Sequence, residues 1–98
     1  MTYRALPDGL FIGDSPIAGQ GVFTRKSLKV GTELGISHII NGKELYRTPL
    51  GGFLNHSELP NCEKYRDGMK YYIKVIKPID ANASGKLIKG PLFASVIV

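Results

Sequence analysis

The sequence has no tryptophan, a single cysteine (Cys62), two histidines and two methionines in 98 residues. One cysteine cannot close an internal disulfide, so the fold rests on its packing alone, and a reducing, intracellular compartment is the expectation. No stretch approaches the ~18 apolar residues that span a bilayer, so no membrane partner is expected. The first eight residues lack the apolar centre of a secretory leader. Repeats, linkers and low-complexity tracts are missing too, so residues 1–98 read as one domain. A domain of this size buries only about 60–65% of the surface its unfolded chain exposes, which makes for a thin core.

A basic run and a recognition helix are also missing, although the net charge is +5, from 13 Lys and Arg against 8 Asp and Glu. The basic residues are spread along the chain, and Lys70 and Lys74 alternate with apolar neighbours as on the solvated face of a strand. Nucleic acid is therefore not the expected partner.

What is there points to β structure. Twelve glycines and six prolines punctuate runs of four to nine residues, too short for ordinary amphipathic helices, and 43% hydrophobic with 21% charged residues is a globular balance. Asn41-Gly42 lies between residues 36–40 and 43–46, the strongest short hairpin signal, and Asp67-Gly68 joins 62–66 to 69–77 in the same way. In the latter arm Tyr71, Ile73 and Val75 point to one side and Lys70, Tyr72, Lys74 and Ile76 to the other. Residues 10–12, 21–23 and 33–35 are further strands. No window shows helical periodicity, but 24–28 or 59–64 could make a single turn.

Two stretches carry chemistry. Gly19-Gln20-Gly21 lets backbone approach a ligand closely, yet no helix follows it and position 24 is Thr, so as a dinucleotide fingerprint it fails and alone reads as a tight turn. Asn55-His56-Ser57-Glu58-Leu59-Pro60-Asn61-Cys62, entered from Gly51-Gly52-Phe53-Leu54, is dense in amide, imidazole, hydroxyl and thiol groups. His38, His56 and Cys62 lack the paired spacing of a zinc site, so no metal is expected. A lone Cys62 reads as a small buried apolar residue rather than a nucleophile served by His56. Asn55-His56-Ser57 and Asn82-Ala83-Ser84 match the glycosylation pattern, which carries no weight without a secretory leader.

Taken in order, the two stretches resemble the SET-domain family. Ser15-Pro16-Ile17-Ala18-Gly19-Gln20-Gly21-Val22-Phe23-Thr24, followed by Leu28-Lys29-Val30-Gly31-Thr32-Glu33-Leu34, is similar to its opening, a G-x-G-[VL]-[FA] turn ahead of an I-x-x-G-x-x-[IL] segment. Phe53-Leu54-Asn55-His56-Ser57-Glu58-Leu59-Pro60-Asn61-Cys62 is similar to its second signature, F-[IL]-N-H-S-x-x-P-N-C. Residues 15–79 carry the likeness, which is to the small SET-domain protein lysine methyltransferases of viral or bacterial type. It implies a mainly β, SET-like β-clip fold of small sheets and hairpins, with a threaded C-terminal segment. The implied cofactor is S-adenosylmethionine and the implied partner a protein or peptide that presents a lysine.

By the same resemblance, Gly19, Gln20 and Gly21 would lie along the methionine part of the cofactor. Asn55 would face its amino group and the backbone of His56 its adenine edge, leaving the imidazole a structural role. Tyr46, just ahead of the second signature, is the substrate-binding candidate among Tyr3, Tyr46, Tyr65, Tyr71 and Tyr72. The family's zinc-binding cysteines are absent. Its G-[ED]-E-[IL]-x-x-x-Y segment is absent as well, since no tyrosine follows Tyr72 and only Phe93 is aromatic beyond it. No catalytic residue is therefore assigned, and slow or absent turnover is expected. The alternative is a non-catalytic SET-like module that binds a protein tail or nucleic acid. The uncharged, β-prone residues 92–98 are expected to dock as a strand, in their own core or across a homodimer.

Overall fold

The computed structural model describes residues 6–17, 19–81 and 85–91. The expectations for Tyr3, for Asn82-Ala83-Ser84, for Phe93 and for a strand over 92–98 fall outside these residues.

Alternation of large apolar and polar side chains in short runs, broken by glycine, dictates strands that pair with their neighbours. Among the described residues nine form: β1 (Leu10–Asp14), β2 (Gln20–Thr24), β3 (Glu33–Asn41), β4 (Glu44–Arg47), β5 (Asn55–Ser57), β6 (Cys62–Asp67), β7 (Lys70–Val75), β8 (Lys86–Leu87) and β9 (Lys89–Pro91). They make three small sheets, ordered β1-β2-β8, β4-β3-β7-β6 and β5-β9. All pairs are antiparallel except β5 with β9, where Asn55 lies opposite Lys89 and His56 opposite Gly90. The expected hairpins stand at both sites. Gly42 and Gly68 take φ of 64° and 66°, the left-handed values such two-residue turns demand.

The core lies between the sheets. Val22, Leu34, Leu50, Cys62, Ile73, Val75, Ile79 and Ile88 are buried together, and Leu6, Leu10, Leu28 and Leu54 pack around them. As the alternation in β7 indicated, Tyr71, Ile73 and Val75 turn inward, and Cys62 across the β6–β7 pair joins them. Each large aliphatic side chain buried in this way contributes about 1.5–3 kcal/mol.

Three details correct the sequence reading. Residues 33–35 and 36–40 are not separate strands but one, β3, which bulges twice where its register with β7 shifts. The only helix among the described residues is neither 24–28 nor 59–64 but α1 (Pro49–Phe53), whose five residues are far too few to cross a membrane. At 24–28 the Thr24 hydroxyl donates to the Lys26 carbonyl (2.8 Å) and accepts from its amide (3.1 Å), after which Leu28 bridges to Ile79. At 59–64 the Leu59 amide donates to the Ser57 hydroxyl (3.0 Å), and Cys62 already belongs to β6.

So short a helix has no stability of its own. It is held by Pro49 at its start and by Thr48, whose hydroxyl accepts from the Gly51 amide (3.3 Å) and donates to the Ile36 carbonyl (2.6 Å). Leu50, 1% exposed, anchors it in the core. Gly51 then runs so close to β3 that a methyl group there would collide with the Ser37 carbonyl oxygen. Gly51→Ala is therefore expected to cost about 1–3 kcal/mol. The next position is open, with nothing within 4 Å of where a Cβ would stand. Gly52→Ala should leave stability unchanged or raise it by up to ~1 kcal/mol. Thermal unfolding followed by circular dichroism compares the two, and equal shifts would contradict this packing.

Candidate functional site

The two sequence motifs meet in space. Asn55 opens β5, and its Nδ2 donates to the carbonyl of Gln20, at the start of β2, across 3.2 Å. Between them runs the buried backbone of Gly21. A Cβ there would lie 2.6 Å from Asn55 Oδ1 and 2.9 Å from Leu87 Cδ1, so only glycine lets the amide sit where it does. Gly19 is different: nothing among the described residues comes within 4 Å of its Cβ position, and Gly19 and Gln20 are exposed. One glycine thus admits an asparagine from within, and the other leaves the lip of the turn bare.

A second asparagine of the same motif, missed as a functional residue in the sequence, fixes the far wall. Asn61 Nδ2 donates to the Leu87 carbonyl (3.2 Å), and its Oδ1 accepts from the Lys89 amide (2.8 Å). Its own amide donates to the Lys89 carbonyl (3.0 Å), and its carbonyl accepts from the Ile76 amide (2.9 Å). Residues 87–89 are thereby pinned alongside the end of β7, and β9 is set beside β5. His56, exposed, lies in that parallel pair opposite Gly90.

Next to this lies the inward face of the four-stranded sheet. His38 lies opposite Tyr71, its ring edge-on to the tyrosine at 6.1 Å and 86°, and its Nδ1 is 2.9 Å from the Ser37 hydroxyl. Lys64 of β6 reaches over the same tyrosine, with Nζ 5.0 Å from the ring centroid. Partial burial, then the Lys64 and Arg47 charges, hold His38 below the usual imidazole range. His56 is lowered by burial and then by Lys64. Burial lowers Lys64 as well. Cys62 is fully buried and its thiol is pushed up to about 12, so it is an inert core residue. No three His, Cys, Asp or Glu side chains converge as metal ligands among the described residues.

Tyr46 is not brought to this face. It pairs with Ile39 in β4–β3, whereas Arg47 pairs with His38, so Tyr46 points outward and is 49% exposed. Tyr65 and Tyr72 are also outward, stacked at 5.5 Å, with the Tyr65 hydroxyl donating to Glu33 (2.6 Å). Of the described tyrosines, Tyr71 is the one turned inward. The signal was present in the alternation of β7, where Tyr71 shares a face with Ile73 and Val75.

With this geometry in place, comparison with known proteins finds the same architecture. No family model and no curated protein matches the chain. Among solved structures, 89% of the chain aligns with 95% of a Plasmodium falciparum protein provisionally assigned as a histone methyltransferase, at 19% identity and a TM-score of 0.68. The methyltransferase domain of human PR domain-containing protein 2 aligns over 95% of this chain and 84% of its own, at 14% identity and 0.63. The PR domain of FOG-1 aligns over 88% and 80%, at 20% identity and 0.56. The chain has a SET/PR-type β fold. That bears out the expected mainly β architecture of small sheets.

The electrostatics make a direct prediction. In an NMR titration both histidines should protonate below the ordinary value of 6.5. Because the folded state resists the proton, the unfolded chain takes it up first, so this contribution to stability is full above that value and declines as pH falls through it. Either imidazole titrating above the ordinary value would contradict the arrangement.

Proposed function

We propose that this protein is an S-adenosylmethionine-dependent methyltransferase that acts on lysine side chains of a protein or peptide. The observation that carries the reading is the apposition of Gly21 and Asn55 beside the open lip at Gly19 and Gln20, in a SET/PR-type fold. A bare backbone turn next to a fixed side-chain amide suits a ligand that presents an amino acid moiety. Gly19, Gln20 and Gly21 would hold its methionine part, Asn55 its amino group and the His56 backbone its adenine edge. When bound, S-adenosylmethionine supplies a methyl group on a sulfonium, open to in-line attack by an amine.

The rest is positioning. A lysine with an ordinary pKa of about 10.4 must arrive at the reacting position without its proton. The inward face helps in this, since Lys64 and Arg47 stand near it and disfavour a further positive charge. Tyr71 offers an aromatic wall on that face, with the His38 ring edge-on to it. Residues 73–98 do not carry the SET family's G-[ED]-E-[IL]-x-x-x-Y segment, so no residue here is assigned the positioned hydroxyl it would supply. Absence of one such polar group typically costs ~10²–10³-fold in rate. That absence also favours the second reading, a non-catalytic module of this fold that holds a protein tail or nucleic acid.

Isothermal titration calorimetry separates the two. The wild type should bind S-adenosylmethionine, and Gly21→Ala and Asn55→Ala, each verified as folded, should lose most of that binding. Methylation of lysine-containing peptides should be detectable but slow. Absence of heat at millimolar cofactor, or variants that bind like the wild type, would contradict the proposal.

A further inference from the structure

We propose that Tyr71 and His38 form a seat for a primary ammonium group, and that the chain's own Lys64 fills it, so that a substrate lysine enters by displacing Lys64. The inference rests on the proposed function for the identity of the visitor, since it deepens that reading by locating where the lysine goes. The seat itself is a property of the protein without cofactor.

The first observation is direction. Along β6, Cys62 and Lys64 share one side and Glu63 and Tyr65 the other, and Lys64 lies opposite Ile73, which is fully buried. A lysine at an inward position of an edge strand is unusual, because its charged head would ordinarily be left in water. Here the ammonium reaches the face of Tyr71, 5.0 Å from the centroid, the placement in which a ring quadrupole attracts a cation.

The second observation is what Lys64 does without. On the outer face Lys74 also lies over a tyrosine, 5.3 Å from the Tyr65 centroid, but it has the Glu63 carboxylate at 3.7 Å. Lys64 makes no ion pair among the described residues. The aromatic ring is thus its main attraction, and such contacts are broken more readily than a buried ion pair.

The third observation is location. The charge of Lys64 acts on His38, on β3, and also on His56, in β5 next to Asn55. The ammonium on the Tyr71 ring is therefore within electrostatic reach of a histidine that adjoins Asn55, one of the residues proposed to hold the cofactor. A lysine side chain from a partner has the same length, charge and head group as the one already there, so the site is complementary to it by construction.

The test needs no cofactor. Lys64→Ala removes the atoms from Cγ to Nζ, which n-propylammonium replaces. Added to Lys64→Ala, this ion should shift the Tyr71 ring and His38 imidazole resonances saturably, with at least about tenfold higher affinity than in the wild type. Nα-acetyl-lysine methylamide should compete for the same seat, and n-propanol should leave it unmoved. No saturable shift in a folded Lys64→Ala protein, or equal affinity in the wild type, would overturn the proposal. A wild-type measurement stands independently of that variant's folding: the Tyr71 ring current should move the Lys64 ε-methylene protons upfield, and an ordinary exposed-lysine shift would overturn the proposal. Failure here leaves the calorimetry of the cofactor untouched, while failure of cofactor binding rejects the methyltransferase reading and not the seat.

Discussion

Asn61 is the point on which the three sheets depend. Its backbone and side-chain groups together bond to Leu87 in β8, Lys89 in β9 and Ile76 just beyond β7. A domain with so thin a core has little apolar area with which to hold a two-residue strand such as β8 or a three-residue one such as β9. Each hydrogen bond here contributes only ~0.5–1.5 kcal/mol net, but an unmade one would leave half-buried groups without partners. With residues 87–89 fixed, β8 completes the sheet of β2, Leu87 closes over Gly21, and β9 lies against β5. The Leu87 wall beside Gly21 and the β5–β9 pair that carries Asn55 and His56 are therefore placed by Asn61.

The four-stranded sheet divides its charge between two faces. Outward, Lys74 pairs with Glu63 and the Tyr65 hydroxyl with Glu33, so charges there are balanced and solvated. Inward, Lys64 and the His38 imidazole meet at Tyr71, and the Lys64 and Arg47 charges act on His38. Such a face tolerates one ammonium against the ring and resists a second. That fits chemistry in which an amine must lose its proton before it reacts.

Much of this was legible in the sequence, and for physical reasons. Asn41-Gly42 and Asp67-Gly68 specify their hairpins because a two-residue turn needs positive φ, and β7 shows its faces because side chains alternate strictly along a strand. That Gly21 and Asn55 belong to one site was implied by the resemblance of their two motifs to the SET family. Less legible was anything set by contacts distant in sequence. Helix α1 has two glycines in five residues and owes its existence to the Thr48 cap and Leu50, which no local pattern reveals. The bulges of β3 arise from its register with β7. Tyr46 was singled out by its nearness to the second motif in the chain, yet pairing with Ile39 turns it outward, while Lys64, which no motif marks, lies inward.

The central claim is that the Gly19–Gly21 turn and the Asn55–His56 strand form one cofactor surface. Backbone amide chemical-shift mapping with S-adenosylmethionine tests it most directly. The largest perturbations should fall on Gly19, Gln20, Gly21, Asn55 and His56 together. Ser27, Leu28 and Asp80, which line a separate groove of about 460 Å³ at the Leu28–Ile79 bridge, should stay unmoved. Perturbations confined to that groove, or to only one of the two motif segments, would contradict the claim.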